Sequence, residues 1–142
     1  GIIDLTCGMT GSAIPVPQAV KQALDAGVPL ERLTLSSDGN GSMPKFNENN
    51  ELIGLTAAAP RYLYEEMLSI VKAGVLPFDK ALQLITCNVA DALKLEDKGR
   101  IAVGKDADLI VWNDDLTLNK VFARGRLMVD EGQAVVKGTF EN

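Results

Sequence analysis

The spacing of apolar residues along the chain changes near residue 100. Before that point, short apolar runs alternate with stretches of helical spacing. Residues 2–7 read as a buried strand, followed by a loop through Gly8, Met9, Thr10, Gly11 and Ser12. Pro15 and Pro17 open a helix in which Val16, Ala19, Val20, Ala23 and Leu24 follow the i, i+3, i+4, i+7, i+8 pattern, so one face is apolar. Gly27 supplies a left-handed stop and Pro29 blocks continuation. Leu33–Ser36 is the next strand. A strand, a short helix and a second strand in this order predict a parallel βαβ unit.

Residues 38–50 read as a polar loop rich in Gly, Asn and Ser, too long for a plain connector. Such loops in compact domains are more often functional than neutral. Two helices follow. One starts near Pro60, buries Leu63, Met67, Ile70 and Val71, and stops at Gly74. The other starts near Pro77, presents Leu82 and Ile85, and passes into residues 89–93. From Lys105 onward the pattern is one of strands and tight turns: Leu109–Trp112, residues 120–129 and residues 133–136. Asp130, Glu131 and Gly132 form the hairpin between the last two. Gly125 interrupts the middle strand and predicts a bulge. The division places an α/β part at residues 1–100 and a small all-β part at 101–142.

At 142 residues and 46% hydrophobic content, the chain can build the core of one ordinary domain. A net charge of −5, with 14 scattered Lys and Arg, argues against nucleic acid as a partner. No apolar run approaches the roughly 20 residues that span a bilayer. No charged-then-apolar leader is present either, so no membrane partner and a cytoplasmic location are expected. The chain opens directly on a strand-like run without an initiator Met, which suggests a truncated or processed polypeptide. Cys7 and Cys87 have no metal-like spacing. They read as buried thiols of a reducing compartment, with a disulfide or a reactive thiol as alternatives.

The candidate chemistry centres on Asp38, in Ser36-Ser37-Asp38-Gly39-Asn40-Gly41-Ser42. It directly follows a strand, and α/β enzymes gather catalytic groups at the carboxyl ends of strands. An Asp-Gly-Asn-Gly sequence is equally good turn chemistry. The chain has no histidine, the commonest source of a base or metal ligand, so a metal-bound carboxylate here would need partners encoded elsewhere. Gly39 and Gly41 would let the backbone approach a ligand closely, or satisfy unusual φ angles. The spacing fits no phosphate-cradling pattern. Lys45 and Arg61 read as solvated cations, Trp112 and Phe122 as core, and Asp106 and Asp108 as structural.

Two motifs carry a family resemblance. The strand ending in Ser37-Asp38 is one. The other is Lys98-Gly99-Arg100-Ile101-Ala102-Val103-Gly104-Lys105-Asp106-Ala107-Asp108-Leu109-Ile110-Val111-Trp112, followed later by Val121-Phe122-Ala123-Arg124-Gly125. Together with Thr86-Cys87-Asn88-Val89-Ala90 they resemble the metal-dependent amidohydrolase superfamily. Within it, the stretch from Ser37 to Ser42 is most similar to the isoaspartyl (β-aspartyl) dipeptidases, as is the ending from Gly132 to Glu141. Dihydroorotase- and hydantoinase-like members carry a histidine soon after the aspartate, where this chain has Gly39. The likeness covers almost the whole chain, most securely residues 33–44 and 98–141.

This resemblance implies an α/β fold: the C-terminal fragment of a (β/α)8 TIM barrel, its last two strands and following helices, plus strands of a small β-sandwich. It implies zinc-dependent hydrolysis of β-aspartyl dipeptides. Asp38 would be both metal ligand and catalytic proton shuttle, Ser42 a contact to the substrate's carboxylate, and Gly41 part of the substrate-binding backbone. The superfamily's histidines and bridging carboxylated lysine come from earlier strands, so this chain alone is expected to be inactive and to hold zinc poorly. Uncovered strand edges imply self-association or a homo-oligomer. Alternatives are another amidohydrolase, dihydroorotase-like or an N-acyl-amino-acid deacylase, and a non-catalytic interaction module.

Overall fold

The computed structural model describes residues 1–9 and 14–138. Thr10, Gly11 and Ser12 of the first loop, and Thr139, Phe140 and Glu141 of the dipeptidase-like ending, lie outside the described residues. The chain is α/β and divides into two compact units, Gly1–Lys94 and Leu95–Asn142. This division falls slightly before the change of sequence character near residue 100.

In the first unit, β1 (Ile3–Thr6) and β2 (Leu33–Ser36) pair in parallel, from Ile3 opposite Leu33 to Thr6 opposite Ser36. Helix α1 (Val16–Asp25) connects them, so the βαβ unit is as the sequence predicts. Pro17 sits in the first turn of α1, where its missing N–H deprives no carbonyl of a partner. Val16 and Val20 are buried, and Ala23 and Leu24 pack beside them. Alternation along β2 sends Leu33 and Leu35 into the same core, with Cys7, Met67, Ile70, Ala81 and Leu84.

The first strand is less buried than expected. Ile3 is 43% exposed and Asp4 is also exposed, while Leu5 is half-buried. Among the described residues β1 has a strand neighbour on one side only, which leaves its edge open.

The polar loop of residues 38–50 is a larger correction. It contains β3 (Ser42–Phe46), which pairs antiparallel with β4 (Leu52–Ala57), Ser42 lying opposite Ala57. Asn47 organises the connecting turn. Its Oδ1 accepts from the N–H groups of Asn49 and Glu51 at 2.9 Å each, and its Nδ2 donates to Glu51 Oε2 at 2.8 Å. The Gly- and Asn-rich composition and Pro44 masked a strand that Met43 and Phe46 help to form.

Helix α2 (Tyr62–Lys72) buries Met67 and Ile70, with Leu63 and Val71 half-buried. The third and fourth helices are separate, α3 (Phe78–Gln83) and α4 (Cys87–Leu93), rather than one passing into the next. At Thr86 the backbone leaves helical geometry and the hydroxyl donates to the Leu82 carbonyl at 2.7 Å. Ala81 and Leu84, more than Leu82 and Ile85, face the core. Asn88 is buried, and its Nδ2 donates to the carbonyls of Leu30 and Leu33 at 2.8 and 2.9 Å, tying α4 to the entry of β2. Both cysteines are free thiols, so no disulfide forms.

The second unit is an antiparallel meander of β5 (Leu109–Trp112), β6 (Leu118–Ala123), β7 (Arg126–Asp130) and β8 (Gln133–Ala134). Residues 120–129 are therefore two strands, not one bulged strand. Arg124 and Gly125 form the turn between them with φ of 48° and 76°. Glu131 and Gly132 repeat that geometry at 48° and 75° before β8. Positive φ at both central residues matches the right-handed twist of the flanking strands. No described residue of this unit is buried, so Trp112 and Phe122, each half-buried, are not core residues. Asp106 and Asp108 are structural: Lys98 bonds both carboxylates, and Asp108 Oδ1 accepts from the Arg124 N–H at 2.7 Å.

Candidate functional site

The site is built on β2. Its two faces are chemically opposite, with Leu33 and Leu35 on the core side and Thr34 and Ser36 on the other. Asp38 follows Ser36 by two residues, in the turn that leaves the strand. It is exposed and adopts φ 47°, a left-handed conformation that costs a non-glycine residue about 1 kcal/mol or more. The Gly41 N–H closes the turn on the Asp38 carbonyl at 2.7 Å, with Asn40 left-handed at φ 65°. Asn40 N–H donates to the Ala58 carbonyl at 2.9 Å, and Ala58 N–H donates to the Gly41 carbonyl at 2.8 Å. Ala58 is buried, so the carboxylate-bearing turn is fastened to the base of the β3–β4 hairpin.

The unusual φ angles of this turn thus belong to Asp38 and Asn40, not to the glycines. Gly41 matters for a different reason. A Cβ at that position would lie 2.5 Å from Asp38 Oδ2, so any larger residue would oblige the exposed carboxylate to shift from where it rests against the backbone. Ser42, the other expected contact, opens β3 and is exposed. Asp38, Gly41 and Ser42 therefore share one turn-to-strand element, and Gly41 touches the carboxylate.

The start of α2 touches both strand exits. A Cβ on Gly39 would stand 3.3 Å from Pro60 Cγ, and one on Gly8, where φ is +76°, would stand 2.3 Å from the Tyr62 ring. Arg61 is not a lone solvated cation. Its guanidinium lies 5.6 Å from the Tyr62 ring centroid and pairs with Glu65 at 3.2 Å. Lys45 is exposed, as expected. Burial, then the carboxylates of Glu66 and Asp4, push the Cys7 thiol up to about 12, so it stays protonated and is no nucleophile at neutral pH.

Among the described residues no group of three or more His, Cys, Asp or Glu side chains could hold a metal ion. A bound zinc requires three or four protein ligands, and Asp38 offers one. The described residues alone do not make a metal site. What they provide is one accessible carboxylate on a sterically fixed turn, a group able to take up, hold or release a proton or to complete a ligand set. No helix among them is long and apolar enough to cross a membrane.

One feature of the site escaped the sequence reading. Thr34 Oγ1 and Ser36 Oγ donate to the two oxygens of Asp4 at 2.7 and 2.5 Å. The alternation of each strand is visible in the sequence. The register that sets Asp4 against both hydroxyls is not.

The chain is also similar to known proteins. The Amidohydrolase family matches residues 15–132. An imidazolonepropionase from Anaeromyxobacter sp. (strain K) is 34% identical over 112 residues, covering 79% of this chain and 22% of that protein. Adenine deaminase 1 from Carboxydothermus hydrogenoformans is 28% identical over 104 residues, covering 72% of this chain and 17% of that protein. A crystal structure of the β-aspartyl dipeptidase from Fervidobacterium islandicum AW-1, in complex with the β-Asp-Leu dipeptide, superposes with a TM-score of 0.82 at 31% identity. That superposition covers 98% of this chain and 36% of the dipeptidase. The N-acetylglucosamine-6-phosphate deacetylase of Thermotoga maritima shares the fold at TM-score 0.66 and 18% identity. The chain thus spans only a minor part of the length of the proteins it matches.

Proposed function

Because this chain belongs to the amidohydrolase family, we propose that it is the C-terminal portion of a zinc-dependent isoaspartyl dipeptidase. The observation that carries this reading is the likeness over 98% of the chain to the β-aspartyl dipeptidase that holds β-Asp-Leu. In this reading β1 and β2 are the last two strands of a (β/α)8 barrel, within residues 1–100, and residues 101–142 contribute strands to a small β-sandwich. Asp38 stands at a carboxyl strand end, where barrel enzymes assemble their sites.

Asp38 supplies one metal ligand in the complete enzyme, the other ligands lying outside this chain. A bound metal supplies activated water at neutral pH. The step assigned to this chain is proton movement. The Asp38 carboxylate takes the proton from the attacking water and delivers it to the leaving amine as the amide bond breaks. Gly41 gives the carboxylate its space, and Ser42 donates to the carboxylate of the β-aspartyl substrate. The open edge of β1 would be covered in the whole enzyme, and self-association of the isolated chain is part of the same reading.

The relatives matched by sequence favour a second reading, hydrolysis of a C–N bond in a heterocycle such as adenine. One experiment separates the two. The complete protein is assayed for leucine release from β-Asp-Leu and for ammonia release from adenine. Leucine release is expected, and Asp38→Asn should lower kcat/KM by about 10²–10⁴, the usual worth of positioned proton transfer. Ammonia from adenine with no leucine from the dipeptide overturns the dipeptidase assignment.

A further inference from the structure

Asp4 is the only charged side chain in β1 or β2. Aspartate is disfavoured in strands, and the interior of a barrel is ordinarily filled with Val, Ile and Leu. Here Asp4, Thr34 and Ser36 lie on the sheet face opposite Leu33 and Leu35, which face the core. The carboxylate bridges two successive same-face hydroxyls of the neighbouring strand: Thr34 Oγ1 donates to Oδ1 at 2.7 Å and Ser36 Oγ to Oδ2 at 2.5 Å. Hydrogen bonds of this length from hydroxyl to carboxylate are of the strong, charge-assisted kind. Parallel pairing is regular along the four residue pairs, and the Cys7 N–H donates to the Ser36 carbonyl at 2.7 Å. Ser36 is therefore held through both its backbone and its side chain, one residue before Ser37 and two before Asp38.

We propose that Asp4 is a positioning residue for the reaction: by gripping Ser36 and Thr34 it fixes the carboxyl end of β2, and so the place from which the Asp38 turn departs. Asp4 touches neither Asp38 nor substrate in this role. Two features make such a brace useful. The Asp38 turn carries left-handed backbone at Asp38 and Asn40. Its far end is fastened to Ala58. A turn clamped at one end keeps a fixed direction only if the other end is clamped as well. Misplacement of a reacting group by about 1 Å can cost on the order of 100-fold in rate. An apolar residue at position 4 would pack a sheet face just as well but could not hold the two hydroxyls.

This inference rests on the dipeptidase reading, and the test keeps the two apart. The complete protein is prepared as wild type, Asp4→Ala, Asp4→Asn, Ser36→Ala and the Asp4→Ala/Ser36→Ala double variant. Each is assayed on β-Asp-Leu, adenine, dihydroorotate and an N-acyl amino acid, with thermal unfolding and metal content measured alongside. On whichever substrate wild type turns over, Asp4→Ala and Ser36→Ala should each lower kcat at least tenfold. KM should change less than about twofold, with melting temperature and metal content held. The double variant should lose no more than either single one, since both remove the same brace. Asparagine can still accept from one hydroxyl and donate to the other, so Asp4→Asn should recover most of the lost kcat.

Wild-type kcat in Asp4→Ala overturns the proposal. So do losses that multiply in the double variant, or a loss of kcat that comes with a comparable rise in KM and a lowered melting temperature. Should Asp4→Ala fail to fold, Ser36→Ala against Asp4→Asn carries the same decision: an unaffected Ser36→Ala overturns it. Turnover of another substrate but not β-Asp-Leu sinks the dipeptidase reading while still testing Asp4.

Discussion

Leu33 and Leu35 in β2 are 0% and 3% exposed, whereas no residue of β6 or β7 is buried, although all three strands carry large apolar residues. The difference is the layer that covers them. Helices α1, α2 and α3 lay Val20, Met67, Ile70 and Ala81 over one face of the β1–β2 pair. The four-stranded meander has no comparable layer among the described residues. It is organised by two-residue turns and by charges: Lys98 with Asp106 and Asp108, and Lys120 with Asp130. Strand-forming sequence is common to both units, then, but the source of stability is not. One unit has a buried core, whereas the other combines half-buried apolar side chains with two-residue turns and solvent-accessible ion pairs.

The sharpest way to break this contrast is to remove equivalent apolar bulk from each. Met67 is fully buried, so Met67→Ala should cost about 2–5 kcal/mol through lost transfer energy and the cavity it leaves. Phe122→Ala, from a half-buried position, should cost far less, about 1 kcal/mol or under, because solvent already reaches the ring. Urea unfolding measures both, and the two units can be told apart. Trp112, the sole tryptophan, lies in β5, so its fluorescence follows the second unit, while far-UV helix signal follows the first. Equal losses would mean that Phe122 has a packing partner as complete as that of Met67.

A smaller effect tests how the first unit fixes the site strand. Asn88 holds the carbonyls of Leu30 and Leu33 at the entry of β2, and Asn88→Ala leaves both without their side-chain donor. The expected cost is about 1–3 kcal/mol, the penalty of unpairing buried polar groups. Hydrogen exchange should show faster opening of the β2 amides in this variant. Unchanged protection at Leu33 and Leu35 would refute the stitching role.

The parts of this architecture that the sequence discloses are those encoded by local periodicity. Val16, Val20 and Leu24 mark α1, Leu33–Ser36 marks β2, and the βαβ order follows from their sequence. Asp38 is legible as a strand-end carboxylate for the same reason. What stays hidden depends on contacts between distant residues. The β3–β4 hairpin is obscured because Asn47 and the Gly-Asn turn dominate the local composition. Gly125 reads as a bulge because a hairpin turn and a bulge demand the same positive φ. The steric fit of Gly41 to Asp38, and the grip of Asp4 on Thr34 and Ser36, depend on side-chain placement and strand register that no periodicity records.

The smallest effect concerns the charges of the second unit, and its sign is fixed by the two kinds of group involved. Hydrogen bonds from Lys98 hold the Asp106 and Asp108 carboxyls below the usual carboxylate value, and those same carboxylates raise the Lys98 ammonium. A lowered carboxylate stabilises the fold above its unfolded value of about 3.9, and that contribution is lost as pH falls through the depressed folded value. A raised ammonium stabilises below about 10.4 and loses its contribution as pH rises through the elevated one. Between those limits both are present. Trp112 fluorescence should therefore report a second unit that loosens below about pH 4 and again above about pH 10.4. Lys98→Met removes the donor common to both carboxylates. Among the described residues Asp106 then keeps Arg124 Nε at 3.4 Å and Asp108 the Arg124 N–H, so both acids should titrate nearer their ordinary values. The variant should thus be slightly less stable at pH 7 and show a flatter dependence in both acid and alkali. High salt should shrink the difference between variant and wild type, since all three groups are solvent-accessible. A Lys98→Met protein with the wild-type acid limb would show that Lys98 does not set these carboxylates, and the picture of a charge-organised second unit would lose its main support.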